Sequence, residues 1–151
     1  VFKLALGYPQ DGGERTLLDR RADRTEQMPS VEAVIDPETV QALQAVPETV
    51  SVDGKLRDYI VELGQATRED DRVDVGLSPR GIQRLFEASR AAAVVAGRTF
   101  VVPDDIQRVL EPTVAHRLVL ATEATVRNVS PADVVADVVD RIAVPAVEPE
   151  T

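Results

Sequence analysis

Three times in this 151-residue chain an aspartate or serine stands directly before a proline that opens an amphipathic run: Asp36-Pro37, Ser78-Pro79 and Ser130-Pro131. The Asp or Ser side chain accepts from first-turn N–H groups. Proline suits the first helical position because an N–H there would have no intrahelical partner. Each pair is a helix start, so a chain punctuated this way folds as a set of discrete helices. The middle pair, within Gly76-Leu77-Ser78-Pro79-Arg80, opens the longest helical pattern, with Ile82, Leu85, Phe86, Ser89, Ala93 and Ala96 on one stripe before Gly97. It also puts a guanidinium beside the positive pole of that helix, where a cation is unfavourable by roughly 0.3–1 kcal/mol. Backbone N–H donors and an arginine together suit an anion, most naturally a phosphate. The plainer alternative is a capped helix whose Arg80 points into water.

Around this centre the chain reads as follows. Val1 to Tyr8 alternates, with Phe2, Leu4, Leu6 and Tyr8 on one side, and is expected to be a β-strand ended by Pro9. No comparable run follows at hairpin distance, so the chain looks like a piece of something longer. Asp11 to Arg24 is a charged helix of about three turns with Leu17 and Leu18 as its apolar stripe. A polar loop around Met28-Pro29 and a brief extended stretch at Val31, Ala33 and Ile35 follow. The Asp36-Pro37 helix carries Val40, Leu43 and Val46 to Pro47, and Val50 and Val52 add a few strand residues. Asp53 caps a helix whose Leu56, Tyr59, Ile60, Leu63 and Thr67 make one continuous apolar face. Glu69-Asp70-Asp71 then reads as a solvated loop.

Pro103 opens a further helix with Asp104 and Asp105 in its first turn and Ile106, Val109 and Leu110 inward, kinked or ended by Pro112. Thr113 to Arg127 fits either a helix or a strand. Ser130-Pro131-Ala132-Asp133 is a capping-box start for a last helix bearing Val134, Val135, Val138, Val139 and Ile142. The fold class is mainly α: one helical bundle preceded by a strand, within the size of a single domain.

Charge narrows the function. A net charge of −9 argues against nucleic acid and anionic membrane as partners. Lys3 and Lys55 are the only lysines, a bias that fits a salt-adapted (halophilic) surface or GC-rich coding. The absence of cysteine excludes disulfides and thiolate sites, and a single histidine, His116, excludes a His-rich zinc site. No apolar run approaches the ~20 residues of a membrane span, and no basic-then-apolar leader is present, so a soluble cytoplasmic chain is expected.

A phosphate-binding P-loop needs G-x-x-x-x-G-K-[ST], and Gly54-Lys55-Leu56 lacks both the leading glycine and the hydroxyl. Phe100-Val101-Val102-Pro103-Asp104-Asp105 looks like a strand ending in metal-binding acids, but Pro103 makes it a helix start. His116-Arg117 has no nucleophile spaced for a catalytic triad, so a helix-end or buried hydrogen-bonding histidine is expected. Glu69-Asp70-Asp71 and Asp104-Asp105 would bind a metal only if folding joined them with further oxygen ligands; otherwise they are solvated faces.

Three stretches carry a family resemblance: Phe2 to Pro9; Tyr59-Ile60-Val61 running to Ala66-Thr67-Arg68 and Gly76-Leu77-Ser78-Pro79-Arg80; and Gly97-Arg98 through Val102-Pro103-Asp104-Asp105-Ile106 to His116-Arg117-Leu118. In order and spacing they resemble the C-terminal part of a MoxR-type AAA+ ATPase across nearly the whole chain. The resemblance implies that residues 1–8 are the last strand of the ATPase core and 9–144 the helical lid domain, while the acidic, Pro-containing stretch 145–151 is expected to be a disordered tail. Arg80 would be the second sensor arginine, reaching the γ-phosphate of ATP held by the same subunit, with Gly76, Ser78 and Pro79 positioning it. Arg68, in the same signature, would make an inter-subunit contact.

The resemblance further implies ATP and Mg as cofactors of the longer protein, with none bound to this stretch alone. The expected partners are its own AAA+ core, neighbouring subunits of a homo-oligomeric ring, and client proteins that it remodels or matures, with a von Willebrand factor A-type protein among the possible partners. No nucleic acid and no membrane insertion are implied. The P-loop, Mg-binding acids, first sensor and arginine finger precede Val1 in the family. This stretch alone is therefore not expected to hydrolyse ATP, whereas the parent protein is. A reading of another class is a non-catalytic helical adaptor that binds proteins through its acidic surface and apolar strand.

Overall fold

Among the described residues four helices begin on a capping side chain, at Asp36, Asp53, Ser78 and Ser130, and four helices enclose the core. A computed structural model describes residues 2–25, 27, 28 and 30–147. In chain order come α1 (Gly13–Ala22), α2 (Pro37–Ala45), a 3-10 turn (Val46–Thr49), α3 (Gly54–Arg68), β1 (Val73–Val75) and α4 (Pro79–Val95). Then follow α5 (Pro103–Val114), a second 3-10 turn (Ala115–Arg117), β2 (Val119–Leu120), α6 (Thr122–Val126) and α7 (Pro131–Arg141). Asp36 accepts the Thr39 N–H at 2.7 Å and Asp53 the Lys55 N–H at 2.7 Å. At α7 the capping box closes both ways, Asp133 N–H to Ser130 Oγ at 3.2 Å and Ser130 N–H to Asp133 Oδ2 at 2.8 Å.

The core is aliphatic. Leu56, Ile60 and Leu63 of α3 meet Leu85 and Ala93 of α4, Ile106, Leu110 and Val114 of α5, and Val134 and Val138 of α7, all buried. α4 packs chiefly along α5, where Ala88, Ser89 and Ala93 present little bulk and let the two helices approach closely. It ends on Gly97, whose φ of 73° is the left-handed conformation of a Schellman cap. The Gly97 N–H reaches the Val94 carbonyl and the Arg98 N–H the Ala93 carbonyl, each at 2.9 Å.

Several expectations are corrected. Residues 2–8 form no strand: Lys3 N–H donates to the Pro112 carbonyl at 3.0 Å, but Leu4, Leu6 and Tyr8 stay exposed, because a strand needs a ladder partner and none of the described residues supplies one. The start at Val1 lies outside the described residues. Leu17 and Leu18 bury nothing, since no described element covers α1. The stretch from Val31 to Ile35, expected to be extended, lies in no helix or strand and bends at Val34 and Ile35, and Pro29 lies outside the described residues. Around Val50 and Val52 the expected strand reduces to one parallel bridge, Ser51 with Phe100.

Pro112 does not stop α5 at once. The helix runs two residues beyond it to Val114 and then tightens into the 3-10 turn, as the missing Pro112 N–H withdraws one bond from the ladder. The undecided stretch from Thr113 to Arg127 is mixed, and its β2 pairs antiparallel with β1, Val73 opposite Leu120. Of the tail expected to be disordered, residues 145–147 lie along the bundle, with Lys55 Nζ donating to the Ala146 carbonyl at 3.2 Å and Val147 packed on the core. Residues 148–151 lie outside the described residues.

The acidic run after α3 is not simply solvated. Asp70 is buried and accepts from Arg72 Nε and Nη2, both at 2.8 Å, and from Arg141 Nη2 at 3.0 Å, while Arg72 Nη1 also reaches Asp137 at 2.6 Å. These bonds tie the end of α3 to α7. The Arg72 side-chain hydrogen bonds, opposed by burial and helped by the Arg141 charge, lower the Asp70 carboxyl from its ordinary 3.8 to about 2. A depressed carboxyl stabilises the fold fully above its unfolded value and loses that contribution as pH falls through the folded one. Asp70→Asn is therefore expected to cost about 1–2 kcal/mol at neutral pH, discounted because Arg141 is half exposed. In urea titrations the gap to wild type should close as pH drops from about 4 toward 2.

Candidate functional site

The turn before α4 is anchored at Leu77, whose side chain is buried. Its N–H donates to Thr67 Oγ1 at 2.9 Å, and its carbonyl accepts from Arg68 Nη1 at 2.6 Å. The Thr67 hydroxyl has one proton, which it donates to the Gly64 carbonyl at 2.7 Å, leaving its lone pairs to accept from Leu77. Gly76 lets the two segments touch: a Cβ there would lie 2.7 Å from the Cα and N of Arg68. The last turn of α3 thus holds the chain entering α4 by both peptide groups of one residue.

From this anchor the helix start follows. Ser78 Oγ accepts the Gly81 N–H at 3.2 Å, and the Ser78 carbonyl accepts the Ile82 N–H at 3.0 Å. Pro79 has no N–H, so the Arg80 N–H is the first-turn donor without an intrahelical partner. Ser78, Pro79 and Arg80, the residues singled out from sequence, lie together and exposed. Among the described residues the Arg80 guanidinium has no hydrogen-bond or ion-pair partner. A cation and a free N–H at a helix N-terminus fit an anionic oxygen, the donor set a phosphate would need.

The other candidates resolve differently. Asp105, expected on a solvated face, is fully buried and takes both Arg98 Nη atoms at 2.6 Å and the Val102 N–H at 2.9 Å. Burial raises its carboxyl and the Arg98 and Val102 hydrogen bonds outweigh that, so its pKa is lowered. His116 stands at the helix end, one of the two placements expected of it, exposed in the 3-10 turn after α5; partial desolvation, then the Arg117 and Lys3 charges, lower its pKa below the usual imidazole range. Among the described residues no group of three or more His, Asp or Glu could hold a metal ion. No helix there is long and apolar enough to cross a membrane. Sequence reasoning placed Thr67 on the apolar face of α3 but missed its bond to Leu77. The available signal was a hydroxyl on an otherwise apolar stripe, which must find partners when buried.

Residues 65–147 match the AAA lid domain family. The chain is 34% identical over 145 residues to the uncharacterised protein YeaC of Bacillus subtilis, covering 96% of this chain and 45% of YeaC. It is 30% identical over 156 residues to Chaperone MoxR1 of Mycobacterium tuberculosis, covering 97% of this chain and 41% of that protein. It therefore spans less than half the length of these relatives. An ATPase candidate of known crystal structure from Cytophaga hutchinsonii shares the fold, with a TM-score of 0.86 at 22% identity over 96% of this chain and 46% of that one. With the matched region covering more than half of its residues, the chain belongs to the AAA lid domain family, and its relatives include MoxR proteins.

Proposed function

We propose that this chain is the lid and second-sensor module of a MoxR-like AAA+ ATPase, and that Arg80 donates to the γ-phosphate of ATP held by the ATPase core. The observation that carries this is a guanidinium without a partner among the described residues, on a helix start whose direction is fixed by the Leu77 anchor. Preorganised donors aimed at phosphate oxygens stabilise the charge that develops in hydrolysis. Loss of the phosphate then removes a contact that holds the lid in one orientation, which couples hydrolysis to lid rotation. The chain's own residues fit the anionic end of the nucleotide, whereas Mg would be held by the core.

The exposed apolar side chains of Phe2, Leu4, Leu6 and Tyr8, unpaired here, fit a segment that becomes a strand only against the core, which supports residues 1–8 as its last strand with 9–144 as the lid. In the longer protein, a cytoplasmic ring of like subunits would use this coupling to remodel client proteins, with a von Willebrand factor A-type partner among them. The designation of the Mycobacterium relative as a chaperone supports that direction.

Hydrogen exchange on the full-length protein tests the reading. The Arg80 amide is the reporter, since it lacks an intrahelical partner. A non-hydrolysable ATP analogue is expected to slow exchange across residues 76–82 relative to ADP. Equal exchange with both nucleotides would count against phosphate sensing and favour the adaptor.

A further inference from the structure

We infer that Thr67 and Arg68 are positioning residues for Arg80: by holding both peptide groups of Leu77 against the end of α3, they set the direction in which α4 begins. This rests on Arg80 being the phosphate donor. Between Leu77 and Arg80 little freedom remains. Leu77 is held at its N–H by Thr67 at 2.9 Å and at its carbonyl by Arg68 at 2.6 Å. Ser78 is locked by its cap to Gly81 at 3.2 Å, and the ring of Pro79 fixes its own φ. The orientation of the first turn of α4 is therefore inherited from the last turn of α3. Gly76 adds contact with the backbone of Arg68, so the segment cannot rise away from α3 without losing three separate holds.

Within the lid, Arg68 has a contact of its own beside the inter-subunit one expected of it. Its Nη1 donates to the Leu77 carbonyl at 2.6 Å, a bond that the guanidinium charge strengthens. Thr67 is buried, and its hydroxyl links Gly64 and Leu77, so α3 and the entry to α4 share one hydrogen-bonded unit. A donor displaced by about 1 Å from a transferring phosphoryl group can lose on the order of a hundredfold in rate. Loosening this unit would therefore be felt at Arg80 without touching it.

The test uses the full-length protein and steady-state ATP turnover, with melting temperature recorded for each variant. Arg68→Met, an exposed substitution that leaves the core intact, is expected to lower kcat by about 3- to 30-fold while the protein stays folded. Thr67→Val should lower it by a similar factor, and Thr67→Ser, which keeps the hydroxyl, should stay within about twofold of wild type. The double variant Arg68→Met/Arg80→Ala should be no slower than Arg80→Ala alone, because a residue acting through Arg80 has nothing left to position. Wild-type kcat in folded Arg68→Met, or losses that multiply in the double variant, would overturn the inference; the second outcome is the signature of an independent inter-subunit contact. If Thr67→Val does not fold, Arg68→Met and Thr67→Ser still decide. Full turnover in Arg80→Ala would instead overturn the sensor assignment itself.

Discussion

Arg80→Ala in the full-length protein is expected to slow ATP turnover by about 10- to 1,000-fold, the loss of a transition-state contact of ~1.4–4 kcal/mol. The lid should not suffer. Arg80 is exposed, has no partner among the described residues, and sits at the unfavourable end of the α4 dipole, so its removal should leave the melting temperature unchanged or slightly raised. That opposition of signs, activity down and stability level or up, separates a sensing residue from a structural one. Arg80→Lys should recover only part of the rate, because an ammonium cannot reproduce the planar two-donor fork of guanidinium toward phosphate. Turnover measured across the three proteins, beside their thermal melts, checks both signs.

A loss of about 2–4 kcal/mol in folding stability is expected for Asp105→Ala, and of less than about 0.5 kcal/mol for Asp104→Ala one position earlier. The neighbours differ because Asp105 points into the bundle and Asp104 into solvent. Removing the Asp105 carboxylate leaves Arg98, only 25% exposed at its side chain, without its two short bonds, and leaves the Val102 N–H without its acceptor. An uncompensated, partly buried charge is the costly outcome, more so than the pair was ever stabilising. The lost bonds also join the Schellman end of α4 to the start of α5, so the damage falls on the most extensive helix contact in the core. Urea denaturation of the two variants separates the cases; equal losses would mean that burial of Asp105 does not govern its contribution.

What could be read from sequence depended on whether the signal was local. The starts at Asp36, Ser78 and Ser130 were legible because a cap and its N–H lie within three residues of each other. The face of α3 was legible because burial there repeats with the helical period. Asp70 and Asp105 were not, since an acidic run does not show which of its members turns inward; burial and the arginines laid against them, Arg72 and Arg141 for Asp70 and Arg98 for Asp105, set them apart from their exposed neighbours. Phe2 to Tyr8 has strand alternation, but alternation states which face is apolar and not whether a partner strand is present. At the candidate site, Ser78-Pro79-Arg80 stood out by chemistry and family resemblance together. The Thr67 and Arg68 bonds to Leu77 cross nine or ten positions between two helices and needed coordinates.

Phe2, Leu4, Leu6, Tyr8, Leu17 and Leu18, in the first part of the chain, are exposed, while α3, α4, α5 and α7 share one buried cluster. The bundle has its own core, so the α4 turn can move with it as one body. If Arg80 meets a phosphate as proposed, a small displacement there would be carried by packed helices rather than absorbed by a loop.

The most direct measurement is the affinity of the full-length protein for ATP and for ADP, with Mg, in wild type and Arg80→Ala. A γ-phosphate contact predicts that Arg80→Ala weakens ATP by about tenfold or more while ADP changes by less than about twofold, since only ATP carries the oxygen that the guanidinium meets. Equal weakening of both nucleotides, or no weakening of either, would contradict the assignment of Arg80 as the phosphate sensor.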